Sequence, residues 1–193
     1  MQYQTKLCCV FQKTREANGS LSNMAAKFNL VVNGIAILTS EALYQACRFP
    51  SRPDVQEIII AQQSPMSAKM KGKPYRKTDN RADWDDVCLD IMRWCLRVKL
   101  AQNYGSFSTV LRSSGQKPIV EESHKDRFWG AVPSKENPDI LEGENMLGIL
   151  LMELREELYQ SSNPSKFLTV EPLDIPDFLL YGKPIGKVIG KAG

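Results

Sequence analysis

The chain has 193 residues, which suits one domain of ordinary size with an extension. Apolar residues make up 42% and charged residues 24%, as in a soluble globular protein with a real core. No apolar run approaches the length of a membrane span, and the first residues lack the layout of a signal peptide. We therefore expect a cytoplasmic protein that does not bind a membrane.

The cysteine and histidine content limits the possible chemistry. The five cysteines are odd in number and form no Cys-x-x-Cys pair, which argues against a disulfide framework and a zinc site. Cys88 and Cys95 lie seven residues apart in a helical pattern that is typical of core positions. His124 is the only histidine, so acid–base chemistry must rest mainly on Asp, Glu, Lys or Tyr. We expect neither a metal ion nor a cofactor.

The first predicted elements are a short strand at residues 6–11 and a hairpin at 28–38. Asn33-Gly34 supplies the two positive-φ positions of the hairpin turn. Thr39 or Ser40 can cap the helix SEALYQACRF that follows, which we expect to end before Pro50.

Five more helices are predicted from proline starts and from apolar residues at three- and four-residue steps. They begin at Pro53 and at Ser64-Pro65, run from about Arg81 to Tyr104, and cover SFSTVLRSSG and NMLGILLMELREEL. KPIVEES is predicted as a strand and 130–145 as a loop. Because strands and helices do not alternate, we expect an α+β fold, mostly helical with a small antiparallel sheet. Residues 1–162 form the predicted domain, and 163–193 a Pro- and Gly-rich extension packed on it or trailing from it.

Three charged residues are candidates for chemistry, and each also has an ordinary structural interpretation. Glu41 opens a helix, where an acid commonly complements the helix dipole. Asp126 lies in the loop KDRFWG, where an aspartate commonly forms a turn. Lys99 interrupts an apolar helix face and is either a desolvated amine or a lysine whose stem covers the core while its head reaches water. We favour the second interpretation of Lys99.

Aromatic and basic residues suggest possible binding surfaces. Trp84 and Trp129 could stack on a base or a sugar, whereas Trp94 is predicted to be a core anchor. The segment 69–81 holds six basic residues against the single acid Asp79. Such a segment is either a solvated loop or a contact for phosphate or nucleic acid, and composition does not choose between them.

Five segments taken together resemble the NADAR family, also called YbiA-like. They occur in family order and cover roughly residues 10–160: LSNMAAKFNLVVNGIAILTSEALYQACRF, QSPMSAKMKG with NRADWDDV, IMRWCLRVKLAQN, PIVEESHKDRFWG and GENMLGILLMELREEL. The resemblance implies a YbiA-like fold and hydrolysis of N-glycosidic bonds to phosphorylated ribose. The segment after Asn163 lies outside it.

Two branches of the family are known. One acts on a phosphoribosylaminopyrimidine intermediate of riboflavin synthesis, and the other removes ADP-ribose from guanine in DNA. Some members of the second branch serve as antitoxins to DarT-type DNA ADP-ribosyltransferases. ILTSEALYQACRFP through IMRWCLRVKLAQN, with the long extension, resembles that branch. The resemblance thus implies a phage-defence antitoxin whose partners are ADP-ribosylated DNA and a DarT-type toxin.

The resemblance also implies the site residues. The expected catalytic residues are Glu41, Asp126 and Lys99, and the expected substrate-binding residues are Asn23, Tyr44, Arg48, Arg81, Trp84, Trp129, Gly130 and Asn145. Lys69, Lys71 and Arg76 are the expected phosphate or DNA contacts. Many riboflavin-type members carry lysine where this chain has Arg48, which cannot act as an amine nucleophile.

The expected mechanism assigns Asp126 to the sugar or water and Glu41 to the leaving group, and the two roles could be exchanged. Lys99 offers a second route through a Schiff base. Trp84 and Lys99 stand roughly 22 Å apart along one helix, so both cannot contact the same sugar.

Two alternatives stay open from the sequence. One is an N-glycosidase that acts on the free riboflavin intermediate and makes no DNA contact. The other is a non-catalytic module that binds ADP-ribose or captures a toxin, for which the segment IPDFLLYGKPIGKVIG could serve.

Overall fold

The computed structural model describes residues 1–161 and 163–191. The predicted domain boundary at residue 162 and the last two residues of the extension lie outside that range. Within it, the α-helices are α1 (Ser40–Ala46), α2 (Pro53–Ile60), α3 (Pro65–Gly72), α4 (Trp84–Gln102), α5 (Tyr104–Ser113) and α6 (Met146–Gln160). No helix of the described residues is long and apolar enough to cross a membrane.

The strands are short, and most of them pair antiparallel. In chain order they are β1 (Gln2–Gln4), β2 (Cys9–Phe11), β3 (Leu30–Val32), β4 (Ile35–Ile37), β5 (Ile119–Glu121), β6 (Val132–Pro133), β7 (Ile140–Glu142), β8 (Thr169–Val170), β9 (Leu179–Leu180), β10 (Lys183–Pro184) and β11 (Val188–Ile189). Helices thus combine with small sheets, which confirms the predicted α+β class.

The chain divides into two compact units. The first unit comprises residues 1–22 and 106–163, and the second comprises 23–105 and 164–193. The predicted division at residue 162 followed chain order, whereas these units follow packing. Whether the domain itself ends there stays a prediction.

The first unit contains a three-stranded antiparallel sheet in the order β1-β7-β6, and β2 pairs with β5. The pairing of β2 with β5 is parallel, an arrangement that the expected antiparallel sheet did not include. Val120, Ala131 and Leu141 are fully buried at the centre of this unit. Helix α6 packs against β5.

Two local predictions in the first unit were wrong. The strand predicted at residues 6–11 begins only at Cys9, as β2, because Thr5–Leu7 forms a 3₁₀ turn. The predicted loop 130–145 contains β6 and β7. Both strands are too short to show a two-residue period, and β7 pairs with β1 from the far end of the chain.

The second unit begins with the predicted hairpin of β3 and β4, in which Asn33 has φ 51° and Gly34 has φ 78°. The hydroxyl of Thr39 accepts a hydrogen bond of 3.1 Å from the N–H of Ala42 and caps α1, as predicted. Helix α4 has a long buried face that includes Cys88 and Cys95, the two core cysteines expected from their spacing.

Residues 164–191 pack within the second unit. The indole N–H of Trp94 donates to the carbonyl of Glu171 at 2.9 Å, and the ring of Trp94 meets Phe178 edge-on at 4.9 Å between centroids. Trp94 is therefore the core anchor that the sequence predicted, with 2% of its surface exposed. The buried side chain of Trp94 on α4 therefore anchors the C-terminal segment.

One buried amide joins three parts of this unit. The Gln56 side chain donates to the carbonyl oxygens of Ala46 and Leu179 at 3.1 and 3.0 Å, and accepts from the N–H of Tyr181 at 2.7 Å. Gln56 has no exposed surface. Its amide therefore satisfies backbone groups that water cannot reach.

Replacing Gln56 with methionine keeps the side-chain length but leaves these backbone groups without their partner. We expect the free energy of unfolding to fall by about 3 kcal/mol, because each buried polar group left unsatisfied costs about 1–3 kcal/mol. Urea denaturation measures the change, with Gln63→Met at an exposed glutamine as the matched control. Equal stabilities for the two variants would contradict this role of Gln56.

Candidate functional site

A buried carboxylate lies at the start of α1. Glu41 is 4% exposed, and its Oε2 accepts a hydrogen bond of 2.5 Å from Nδ2 of Asn23. The backbone carbonyl of Asn23 accepts from the N–H of Glu41 and from the Ser40 hydroxyl, each at 3.0 Å. The first turn of α1 and the chain at Asn23 therefore fix each other. Glu41 and Asn23 are both among the site residues expected from the sequence.

The second oxygen of Glu41 belongs to a chain of hydrogen bonds. Its Oε1 accepts from Nε2 of Gln45 at 2.9 Å, and Oε1 of Gln45 accepts from Nη2 of Arg76 at 3.0 Å. The Gln45 amide can therefore point in only one sense, with its donor toward the carboxylate. Sequence reasoning missed Gln45, although its four-residue spacing from Glu41 places the two on one helix face.

An arginine–aromatic stack lies at the other end of α1. The guanidinium carbon of Arg48 stands 3.9 Å from the ring centroid of Trp84, and the rings of Tyr44 and Trp84 are 5.0 Å apart. Burial raises the pKa of Tyr44 well above its usual range, so its hydroxyl stays protonated. Burial lowers the pKa of Arg48, whose guanidinium nevertheless stays charged at neutral pH.

Arg48 and Arg76 carry positive charge that no ion pair neutralises in the described part of the chain. The charge of Arg76 also lowers the pKa of Arg48, so the two guanidinium groups repel each other. Each has a buried Nε–H without a hydrogen-bond partner in the described part of the chain, where neither arginine forms an ion pair. Two cations that repel each other and have unused buried donors are the arrangement expected of an anion site.

The remaining basic residues of the segment 69–81 divide into two groups. Arg81 is buried and forms a two-pronged ion pair with Asp83, at 2.6 and 2.9 Å, and it also donates to the carbonyl of Pro176. Its described contacts are therefore structural. Lys71, Lys73 and Lys77 are exposed, and Lys69 is half-buried. Contacts of Arg81 and Lys69 with a substrate stay predictions.

Lys99 corrects an expectation. The side chain is 1% exposed, so its ammonium does not reach water as the favoured interpretation required. Nζ lies 4.6 Å from the centroid of the Phe28 ring. Burial, with a smaller contribution from Lys27, holds the pKa of Lys99 well below its ordinary value of 10.5. The lysine is therefore a desolvated amine, and the favoured prediction of a solvent-exposed head was wrong.

Four expected site residues lie in the first unit. Oδ1 of Asp126 accepts from the backbone N–H groups of Phe128 and Trp129, at 3.0 and 2.9 Å, and so forms the turn. The carbonyls of Phe128, Trp129 and Gly130 then accept from the first N–H groups of α6 and from Asn145. Asp126 thus organises the cap of a core helix.

Gly130 and Asn145 both have structural roles in the first unit. A Cβ at Gly130 would lie 2.6 Å from the carbonyl oxygen of Glu121, so only glycine fits. Asn145 is fully buried and holds β5 by its amide, which accepts from Glu121 N–H at 3.0 Å and donates to Ile119 O at 2.8 Å. Contacts of Trp129, Gly130 and Asn145 with a substrate stay predictions.

The cluster around Glu41 can hold negative charge, position a water molecule and bind an anion. It offers a carboxylate fixed by two amides, together with the arginine pair Arg48 and Arg76. In the part of the chain that the structure describes, no group of three or more His, Cys, Asp or Glu side chains could hold a metal ion.

Comparison with known proteins assigns the family. The model of the NADAR domain matches residues 10–159, which is most of the chain. The chain therefore belongs to the NADAR domain family. The match contains every expected catalytic residue and ends before the C-terminal segment.

Curated relatives and a solved structure agree with this assignment. The N-glycosidase YbiA of Escherichia coli is 32% identical over 151 residues, which are 77% of this chain and 86% of that protein. A riboflavin biosynthesis protein of Vibrio vulnificus is 30% identical over 185 residues. This chain spans 47% of the length of the Vibrio protein. The NMR structure of E. coli YbiA matches with a TM-score of 0.64 at 30% identity, covering 81% of this chain and 91% of that one.

The buried Lys99 predicts a specific pH dependence of stability. Between its lowered pKa and 10.5, the unfolded chain binds a proton that the folded chain does not, so stability rises with pH in that window. The expected slope is about 1.4 kcal/mol per pH unit, and Lys99→Met should abolish it. Urea unfolding from pH 7.5 to 9.5 measures the slope, with Lys135→Met as the exposed control. An unchanged slope in Lys99→Met would show that the amine is charged when folded.

Proposed function

We propose that this protein is an N-glycosidase that hydrolyses the bond between a phosphorylated ribose and a nitrogenous base. The observation that carries the proposal is the buried Glu41 carboxylate, held through both oxygens by Asn23 and Gln45. The N-glycosidase name of YbiA, its relative over 77% of the chain, supports the reaction class.

The chemistry follows from the charge that develops as the bond breaks. Positive charge builds on the anomeric carbon, and a fixed carboxylate stabilises it and takes a proton from the attacking water. Water supplies the new hydroxyl of the sugar, and the base leaves with a proton from an acid. Because two amides direct N–H groups at Glu41, we assign it to the sugar and water, exchanging the roles first expected from the sequence.

The anionic part of the substrate would bind to Arg48 and Arg76. Their unused Nε–H donors lie in a buried setting, where a phosphate or diphosphate oxygen would accept charge-assisted hydrogen bonds. Arg76 would then touch both the substrate and Gln45, so that phosphate binding and the orientation of Glu41 are linked through one amide.

For the particular substrate we propose ADP-ribose attached to guanine in DNA, released by a protein that acts as the antitoxin to a DarT-type toxin. The support is electrostatic. The exposed Lys71, Lys73 and Lys77 lie in the same segment as Arg76 and carry the positive charge that a DNA backbone attracts. Lys69 and Arg81 would add to that field.

A second substrate is favoured by a specific observation. The Vibrio relative that covers 94% of this chain is named a riboflavin biosynthesis protein. A phosphoribosylaminopyrimidine would use the same Glu41 and arginine pair but would not need the exposed lysines. Its hydrolysis should therefore depend little on salt, whereas cleavage within DNA should weaken steeply as salt rises.

The first test is release of ADP-ribose from an oligonucleotide that carries ADP-ribosyl-guanine. Glu41→Gln should lower kcat by about 10²–10⁴-fold, because it removes the charge that stabilises the transition state. Glu57→Gln, at an exposed acid of α2, is the matched control and should act like the wild type.

Three outcomes decide among the possibilities. Cleavage of the phosphoribosylaminopyrimidine alone would move the protein to the metabolite branch. Binding of ADP-ribose without cleavage of either substrate would leave a non-catalytic module. Full activity of Glu41→Gln would remove Glu41 from the chemistry.

Asp126 is proposed as the acid that protonates the leaving base. Its Oδ1 forms the turn, whereas Oδ2 has no hydrogen bond in the described residues. Asp126→Asn keeps the turn acceptor and should lower kcat at least about 100-fold with an unchanged melting temperature. Asp126→Ala should lower both, since it also removes the turn. Wild-type turnover in Asp126→Asn would limit Asp126 to its structural role.

A further inference from the structure

A pocket of about 550 Å³ lies on the second unit, and half of its lining residues follow the end of the family match. We call it the C-terminal groove; its lining residues are Asn29, Val31, Asn33, Gly34, Gln102 and 187–191. Residues 187–191 follow the end of the matched region by more than twenty positions. The groove therefore includes a wall that the family domain does not supply.

That wall is the free edge of β11. Val188 pairs with Val170, and the N–H of Gly190 donates to the carbonyl of Leu168 at 2.7 Å. Because paired and unpaired positions alternate in an antiparallel ladder, the N–H and C=O of Ile189 point away from β8. Neither group has a hydrogen-bond partner in the described part of the chain. Gly190 fixes this path, since a Cβ there would lie 1.8 Å from the carbonyl oxygen of Ala101.

The opposite wall is the edge of β3, whose backbone groups at Val31 are already hydrogen-bonded. The Gln102 amide accepts from the N–H of Val31 and donates to its carbonyl, both at 2.8 Å, and so occupies the edge of β3 as a neighbouring strand would. The Asn33 side chain fastens the hairpin tip by donating to Pro184 O and accepting from Gly186 N–H. The β3 wall of the groove is therefore satisfied by Gln102, whereas the β11 edge still offers the N–H of Ile189 as a donor.

The groove is positively charged. Its lining contains Lys187 and Lys191 and no carboxylate. Lys187 pairs with Glu171 at 2.7 Å, but both side chains are more than half exposed, so the pair is weak and can exchange. Lys191 forms no ion pair among the residues described. Both lysines belong to a Gly-Lys repeat of four residues, GKPIGKVIGK, that the proposed active site does not use.

We propose that the C-terminal groove binds phosphate groups of a nucleic-acid strand, as a second contact distinct from the site at Glu41. Ammonium groups, side-chain amides and the free N–H of Ile189 are all groups that contact phosphate oxygens. Lys187 and Lys191 span about 13 Å of extended chain, enough for two separate phosphates. The inference rests on the proposed function for its purpose, since a modified base in a strand brings flanking phosphates with it.

The test measures binding of an unmodified single-stranded oligonucleotide to the full chain by fluorescence anisotropy across a range of salt concentrations. Two phosphate contacts contribute about 1.4 to the slope of log K against log salt concentration, and Lys187→Gln/Lys191→Gln should lose that amount. The matched control Lys166→Gln/Lys183→Gln changes the same charge at exposed lysines outside the groove and should keep the slope. Lys187→Arg/Lys191→Arg should also keep it.

Absence of oligonucleotide binding, or equal slopes in the two Gln variants, would overturn the proposal. Tighter binding of an acidic peptide, displaced by neither oligonucleotide nor phosphate, would overturn it in favour of a protein partner. Equal competition by inorganic phosphate would reduce the groove to a site for the free ion. Because the oligonucleotide carries no ADP-ribose, failure here is distinct from failure of the N-glycosidase activity, which is read on the modified substrate.

Discussion

The second unit depends on burying a carboxylate without losing its hydrogen bonds. A charged group taken out of water is costly unless polar partners replace the water it loses. Asn23 and Gln45 supply those partners to Glu41, and Arg76 supplies the charge behind Gln45. The same contacts that make burial tolerable also fix the carboxylate in one orientation. Stability and readiness for chemistry therefore come from one set of hydrogen bonds.

Helix α4 provides the frame for that arrangement. Its first residue, Trp84, carries the guanidinium of Arg48, while Trp94 near its middle anchors the C-terminal segment. Near its end, Lys99 is buried against Phe28 and Gln102 seals the edge of β3. Four residues spread along α4 thus contact four different parts of the second unit. Trp84 and Lys99 lie in different ones, as their fifteen-residue separation predicted.

Much of the fold could be predicted because its signals are local. The Asn33-Gly34 turn, the Thr39 cap and the prolines that open α2 and α3 act through neighbouring backbone atoms, and each was found where expected. The strands β6 and β7 were missed because pairing with β1, from the far end of the chain, stabilises them. Of the residues linked by hydrogen bonds around Glu41, Asn23, Glu41 and Arg76 were among the expected site residues. Gln45 was missed because an amide is a common residue on a helix face.

The sequence by itself determined the family motifs, the class of fold and which residue types are available for chemistry, since these depend on identity and spacing. Only the tertiary structure decided how each residue is used. Lys99 has the sequence context of a lysine whose head reaches water, but the packing around α4 closes over it. Arg76 and Arg81 look alike in one basic segment, yet Arg76 donates to Gln45 and forms no ion pair in the described residues, whereas Arg81 is paired with Asp83. Burial and partners are set by distant chain segments, and a charge has no fixed role until they are in place.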